Sequence, residues 1–189
     1  MIKFLRQKNK GFTLVETLVA VSIFSISILS IMVVLGQGVS DANYAKRKMI
    51  ASYLAQEGIE YMRNMRDTFA LSPLTTSSEA WGEFKNKLIL ASCDNGSGCY
   101  FDSQGLAGSS ITEIALNACQ EAKCDRLKYD PIAGYNYISG GDSGFSRKIQ
   151  AEAVLGSDNE IKILSTVYWN QGSGDYSITL SENLYNWIE

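Results

Sequence analysis

The chain has 189 residues, enough for one domain with a substantial core. Apolar residues make up 46% and charged residues 20%, which excludes a wholly disordered chain and a polytopic membrane protein. Histidine is absent, so Ser-His-Asp and Cys-His catalysis, His-ligated metals and imidazole switching are excluded together, and a net charge of −3 predicts no nucleic-acid footprint.

Charge is unevenly spread. Residues 1–10 carry Lys3, Arg6, Lys8 and Lys10 and no acid, so four positive charges on a chain of net −3 leave −7 for the rest. Glu16 is then the only charge before Asp41. From Thr17 to Ser40 run 24 uncharged residues, mostly Leu, Val, Ile, Phe, Met and Ala. As a helix these span about 36 Å, enough for a hydrocarbon core of about 30 Å. The basic flank precedes them, which predicts a cytoplasmic N-terminus and an exported remainder. A secretory signal peptide fits less well, because its apolar core is about 7–15 residues and ends in a small-residue cleavage site.

The apolar run passes into an amphipathic pattern. Tyr44, Arg47, Ala51, Leu54, Gly58, Tyr61 and Met65 recur at steps of three and four, and Ile50, Tyr53 and Met62 thicken the stripe. One helix from about Phe12 to Asp67 is predicted, roughly 80 Å long, apolar all round in its first half and one-sided in its second. The first half must be buried in lipid or among copies of itself.

Lys10-Gly11-Phe12-Thr13-Leu14-Val15-Glu16 before this run resembles the leader junction of type IV prepilins: a basic leader ending in Gly, then Phe, an acid five residues into the mature chain, and an apolar helix. The resemblance covers residues 1–40. Phe145-Ser146-Arg147-Lys148-Ile149, Val167-Tyr168-Trp169 and Leu184-Tyr185-Asn186-Trp187 add a resemblance to minor pilins of the pilus-modification type. The resemblance implies that prepilin peptidase cuts between Gly11 and Phe12 and methylates the new amine of Phe12, and that Glu16 is the assembly acid. It implies as partners other pilin or pseudopilin subunits and an inner-membrane assembly platform, with the protein first in the bacterial inner membrane and then in an extracytoplasmic filament. The helix-kinking proline of many pilins is missing; Met32-Val33-Val34-Leu35-Gly36 stands there, and Gly36 and Gly38 loosen the helix instead. That leans away from a major pilin. Glu16 also has a local reading, since Thr13-x-x-Glu16 is a capping-box spacing.

The implied organisation is a leader over 1–11, an apolar assembly helix over 12–40, an amphipathic continuation over 41–67 and an exported globular domain over 68–189. That domain reads as α+β, with the long helix packed on an antiparallel sheet. Residues 68–77, with Pro73, read as a loop. Trp81, Phe84 and Leu88 mark a helix, with Glu83 and Lys87 at i,i+4. Ser110-Ile111-Thr112-Glu113 reads as a capping box opening a helix through Ile114, Ala115 and Ala118. Beyond Asp130-Pro131 the period becomes two. Tyr135 and Tyr137 start a strand. Ile149, Ala151, Ala153 and Leu155 line one face of a second, Ile161, Ile163, Ser165, Val167 and Trp169 of a third, and Tyr176, Ile178 and Leu180 of a fourth. Turns fall at Gly156–Asn159 and Gln171–Gly174.

Cys93, Cys99, Cys119 and Cys124 allow three pairings if all are bridged. The turn-rich spacer of the first two, and a helix end between the last two, favour local pairs, with the crossed pairings open. Cys-x5-Cys and Cys-x4-Cys without histidine match structural zinc sites poorly. Gly141-Asp142-Ser143-Gly144 resembles a protease nucleophile tetrapeptide but lacks a general base, so a polar turn is expected. Asn95-Gly96-Ser97 is read as a turn rather than a glycosylation site. Asp125, Asp130 and Asp142 form no ordered calcium loop. No metal, cofactor or catalytic residue is expected. The expected function is that of a minor pilin-like structural subunit. The alternatives are a minor pseudopilin of a type II secretion or competence system, and a membrane-tethered adhesive domain that does not polymerise.

Overall fold

The computed structural model describes residues 11–71, 76–102, 115–120 and 124–187. The basic stretch 1–10, the Ser110–Glu113 capping box and Pro73 lie outside the described residues. The chain divides into two compact units between Ala45 and Lys46. Helix α1 (Leu14–Ala70) runs for 57 residues and α2 (Ser77–Leu90) for 14. Among the described residues seven strands follow: β1 (Cys99–Phe101), β2 (Leu116–Ala118), β3 (Arg126–Asp130), β4 (Gly134–Asn136), β5 (Gly141–Ala153), β6 (Glu160–Gln171) and β7 (Gly174–Tyr185). The architecture is α+β.

All strand pairs are antiparallel. β5, β6 and β7 form the body as consecutive hairpins, with Phe145 opposite Trp169 and Trp169 opposite Tyr176. The other edge of β5 pairs with β1 through Cys99 and Ile149 and with β3 through Arg126 and Ser146. β2 extends the sheet from β1, and β4 from β3. Alternation decides the faces. Ile161, Ile163, Ser165, Val167 and Trp169 are all buried on one side of β6, as the period of two predicts.

That inner face receives the amphipathic half of α1. Ile59, Met62 and Met65 join Ile149, Ile163 and Leu184 in a core closed by Trp81, Phe84 and Leu88 of α2. Gly58 is the point of closest approach. A Cβ there would lie 2.8 Å from Ile149 Cδ1 and would also overlap Ser165 Oγ. Only a residue without a side chain lets the helix backbone settle this close.

Several expectations need correction. α1 continues to Ala70 and α2 starts at Ser77, so the predicted 68–77 loop shortens. α2 is opened by a Thr76–Glu79 capping box that the sequence reading passed over; the carboxylate accepts from Thr76 N at 3.0 Å and from Thr76 Oγ1 at 2.7 Å. Leu116–Ala118 is a strand paired with β1, not a helix, so Cys119 and Cys124 do not straddle a helix end. Gly141–Gly144 is no free turn but the start of β5, held opposite β3. The turn lies just before it, where Gly140 at φ +98 leaves no room for a Cβ beside the Tyr129 carbonyl. Leu155 is wholly exposed in the β5–β6 turn, and Tyr53 points away from the core at 66% exposure.

Disulfides join Cys93 to Cys99 and Cys119 to Cys124, with Cα separations of 4.7 and 4.5 Å. Between the first pair, Asn95 Oδ1 accepts from Ser97 N and Gly98 N, closing the turn. Ala151 N donates to Cys93 O at 2.8 Å, and Cys119 N to Gly98 O at 2.9 Å, which ties the loop to the sheet.

Two outcomes are expected. Gly58→Val should lower stability by about 1–3 kcal/mol, because the added atoms overpack a filled contact. Denaturant unfolding of the detergent-solubilised chain, followed by fluorescence of the buried Trp81 and Trp169, measures this. Unreduced protein should resist alkylation at all four cysteines, and peptide mapping should recover the two local links. Reduction should cost roughly 2–5 kcal/mol.

Candidate functional site

Two regions bear on function, and each belongs to one unit. The first is the start of α1. Side chains from residue 11 to residue 40 are all exposed, with Phe12 at 83% and apolar residues such as Leu18, Phe24, Leu29 and Met32 all above 60%. Exposure of so much apolar surface is unfavourable in water by roughly 25 cal/mol per Å². It is the surface of a helix made for an apolar surrounding. Among the described residues, one helix is long and apolar enough to cross a membrane.

Four hydroxyls of this stretch agree with that solvent. Thr17 Oγ1 donates to Leu14 O at 2.9 Å. Ser22, Ser27 and Ser30 donate to Leu18 O, Ile23 O and Ile26 O, each at 2.8 Å. These hydroxyls find acceptors within their own helix and demand no water, the condition for placing them in hydrocarbon.

At the N-terminus the Thr13–Glu16 box is formed. Glu16 Oε2 accepts from Thr13 N and from Thr13 Oγ1, each at 2.9 Å, and Glu16 N donates to Thr13 Oγ1 at 3.3 Å. The carboxylate therefore sits one residue from the Phe12 nitrogen. Among the described residues nothing lies within 4 Å of a Cβ added at Gly11.

The second region is a buried arginine that the sequence reading missed. Arg147 has 1% of its side chain exposed. Its Nη1 donates to Glu57 Oε2 at 2.7 Å and to Leu54 O at 3.3 Å on α1, and its Nη2 to Phe101 O at 3.4 Å on β1. The guanidinium carbon lies 4.1 Å from the centroid of the Phe101 ring, and Tyr61 stacks on that ring at 3.6 Å. One side chain thus joins the helix, the short strand β1 and the central strand β5 by charge, hydrogen bonds and stacking. Burial pushes the Tyr137 hydroxyl well above its ordinary value, and the Arg147 charge works against that rise. The signal was present in the sequence: Arg147 shares its parity with Ile149 and Ala151 and so had to face the core. Of the three segments of β5, β6 and β7 that carry the minor-pilin resemblance, the first two lie side by side, Phe145 against Trp169, while the third pairs with the other end of β6, Leu184 against Ile161.

With this geometry in place, the comparisons are specific at one end. Residues 6–35 match the family model described as the prokaryotic N-terminal methylation motif. A type II secretion system protein I from Klebsiella michiganensis is 46% identical over 48 residues, which is 25% of this chain and 40% of that protein. The match therefore spans well under half of that relative's length. No solved structure matches the chain. The N-terminal segment carries a prepilin-type methylation motif, and that motif coincides with the exposed, self-satisfied part of α1.

Loss of the buried arginine should be costly and asymmetric. Arg147→Met is expected to destabilise by about 3 kcal/mol, since it strands polar groups that the guanidinium satisfies. Arg147→Lys should recover less than half, because an ammonium offers neither the fork nor the stacking plane. Glu57→Gln, at a side chain 40% exposed, should cost under about 1 kcal/mol. Unfolding midpoints of the three variants test the order.

Proposed function

We propose that the chain is a minor pilin-like structural subunit of a type IV pilus. The observation that carries this is the coincidence of the methylation motif at residues 6–35 with a helix start whose residues from 11 to 40 are all exposed. On this reading prepilin peptidase cuts between Gly11 and Phe12 and methylates the Phe12 amine. The subunit waits as a single-pass protein of the inner membrane, N-terminus inside as the basic residues 1–10 favour. It then joins other subunits through its N-terminal helix at an inner-membrane assembly platform. The globular unit lies outside. The chain does no chemistry itself; it is the peptidase's substrate. A second reading, a minor pseudopilin of a type II secretion system, draws on the printed name of the Klebsiella relative.

Glu16 is the assembly residue in either reading. A carboxylate among packed apolar helices is costly unless paired. Cleavage creates a positive amine on Phe12, next to the Thr13 nitrogen that Glu16 already accepts from. The same group of a neighbouring subunit would serve equally.

Mass spectrometry of membrane-extracted protein should find Phe12 as the first residue with one added methyl. Gly11→Val should block the cut. Since a Cβ at Gly11 meets nothing among the described residues, that block reports on the peptidase and not on folding. Glu16→Gln separates the two roles of the acid. An amide keeps the cap, because Gln also serves at that position, but loses the charge. Glu16→Gln should insert and be cleaved normally, while its amount in sheared filaments relative to membranes falls at least about tenfold, as loss of a buried pair of about 1.4 kcal/mol or more requires. Wild-type incorporation of Glu16→Gln would leave Glu16 as a helix cap alone. Filament yield is measured separately, because a minor subunit can also initiate assembly.

A further inference from the structure

We propose that the outer face of the sheet, turned away from α1, carries a binding site for one neutral pyranose ring. This goes beyond assembly and does not depend on it. The registers place Arg126, Ser146, Tyr168 and Ser177 in a single row across β3, β5, β6 and β7. One step along β6, Asn170 stands opposite Asp175. Gly144, at φ +77, contributes no side chain to its place beside this row, and the β3–β5 register shifts between Leu127 and Lys128. This irregular pairing adjoins a hollow of about 280 Å³ lined by Arg126, Gly144 and Ser146 with Tyr168 to Asn170 of β6 and Asp175 to Ser177 of β7. Ligand pockets run about 300–1,000 Å³, so the hollow suits a single ring rather than a chain or a large cofactor. At the other end of β7 the hollow by Trp81 and Trp187 has room for only about 10 Å³, and one of about 380 Å³ at the β5–β6 turn, lined by Ala153 to Asp158, offers no aromatic wall.

The chemistry of the lining selects the class. Sugar hydroxyls donate and accept at once, so they need both kinds of partner at fixed positions. Asn170 Nδ2 donates to Asp175 Oδ1, which ties amide and carboxylate together and leaves the carboxylate further lone pairs. Ser146 Oγ donates to Cys124 O at 2.6 Å and so keeps its acceptor capacity. Arg126 spends one N–H on Asp142 at 3.0 Å, in an exposed pair, and has others to offer. Half-buried Tyr168 supplies an aromatic wall for the C–H side of a ring. The lining carries one charge of each sign, Arg126 and Asp175. A balanced site gives an anion such as phosphate or a uronate no advantage, and the charged lining disfavours a purely apolar ligand.

The test is saturation-transfer NMR on the full chain in a detergent without a sugar headgroup. The probes are the methyl glycosides of glucose, galactose, mannose and N-acetylglucosamine, with methyl glucuronide beside them. At least one neutral glycoside should bind with a Kd of about 1 mM. Asp175→Asn, which is isosteric, and Tyr168→Ala should each weaken that binding about tenfold or more. Ser181→Ala, elsewhere on β7, should leave it unchanged. Unfolding midpoints followed by the fluorescence of buried Trp81 and Trp169 show that each variant is folded. The proposal is overturned if none of the four neutral glycosides binds, if only the glucuronide does, or if binding is untouched by both Asp175→Asn and Tyr168→Ala.

Discussion

The inner face of β5 and β6 has to accept a helix backbone at contact distance, and Gly58 makes this possible. Without a side chain at that position, α1 rests directly on Ser165 and Ile149, and Ala51, Leu54, Ala55, Ile59 and Met62 follow it into the interface. Close approach carries the Leu54 carbonyl and the Glu57 carboxylate to the Arg147 guanidinium. The arginine in turn reaches Phe101 and brings β1 under the same contact. A buried cation is expensive unless its donors are used. Here hydrogen bonds to α1 and β1 and the stacked Phe101 and Tyr61 rings share the load.

The same helix is built for two solvents. In the unit from Lys46 onward, one stripe is buried in protein and the opposite side is wet. From residue 11 to residue 40 exposure is uniform, and hydroxyls such as those of Ser22 and Ser27 turn back onto carbonyls of their own helix. The difference lies in where polar groups find partners. A hydroxyl bonded to the i−4 carbonyl makes no claim on its surroundings, so lipid or neighbouring helices can replace water around it. A stripe of small and apolar residues bounded by Glu57, Glu60 and Arg63 makes the opposite claim, with an interface on one side and solvent on the other. The change in character needs no break in the helix.

The sheet divides its labour likewise. Its inner face holds the helix; its outer face is polar, and the Cys93–Cys99 loop is tied to its margin. Lys148, on the outer face yet only 7% exposed, shows how closely that loop covers the strand: its Nζ donates to Gly96 O at 3.4 Å. Small loops of this kind hold little apolar surface, and covalent closure keeps them in place where packing is thin. The outer row from Arg126 to Ser177 is left open beside them.

What was legible in the sequence was what depends on local period. The long helix, α2 with Trp81, Phe84 and Leu88, the hairpins of β5 to β7 and the turns at Gly156 and Gly172 follow from steps of 3.6 and 2 and from turn chemistry, which neighbours along the chain suffice to specify. The prepilin-type junction was legible for the same reason, being contiguous. Partners far along the chain decided the rest. Leu116–Ala118 is a strand because β1 offers it hydrogen bonds, overriding a weak helical spacing. Gly141–Gly144 extends β5 because β3 pairs with it. Tyr53 left the stripe because the interface is narrower than the apolar periodicity. The use of Gly58, the burial of Arg147 and the hollow beside Gly144 each require residues about ninety positions apart, or several strands, to be placed together. A period along the chain carries no record of such neighbours; tertiary packing creates them.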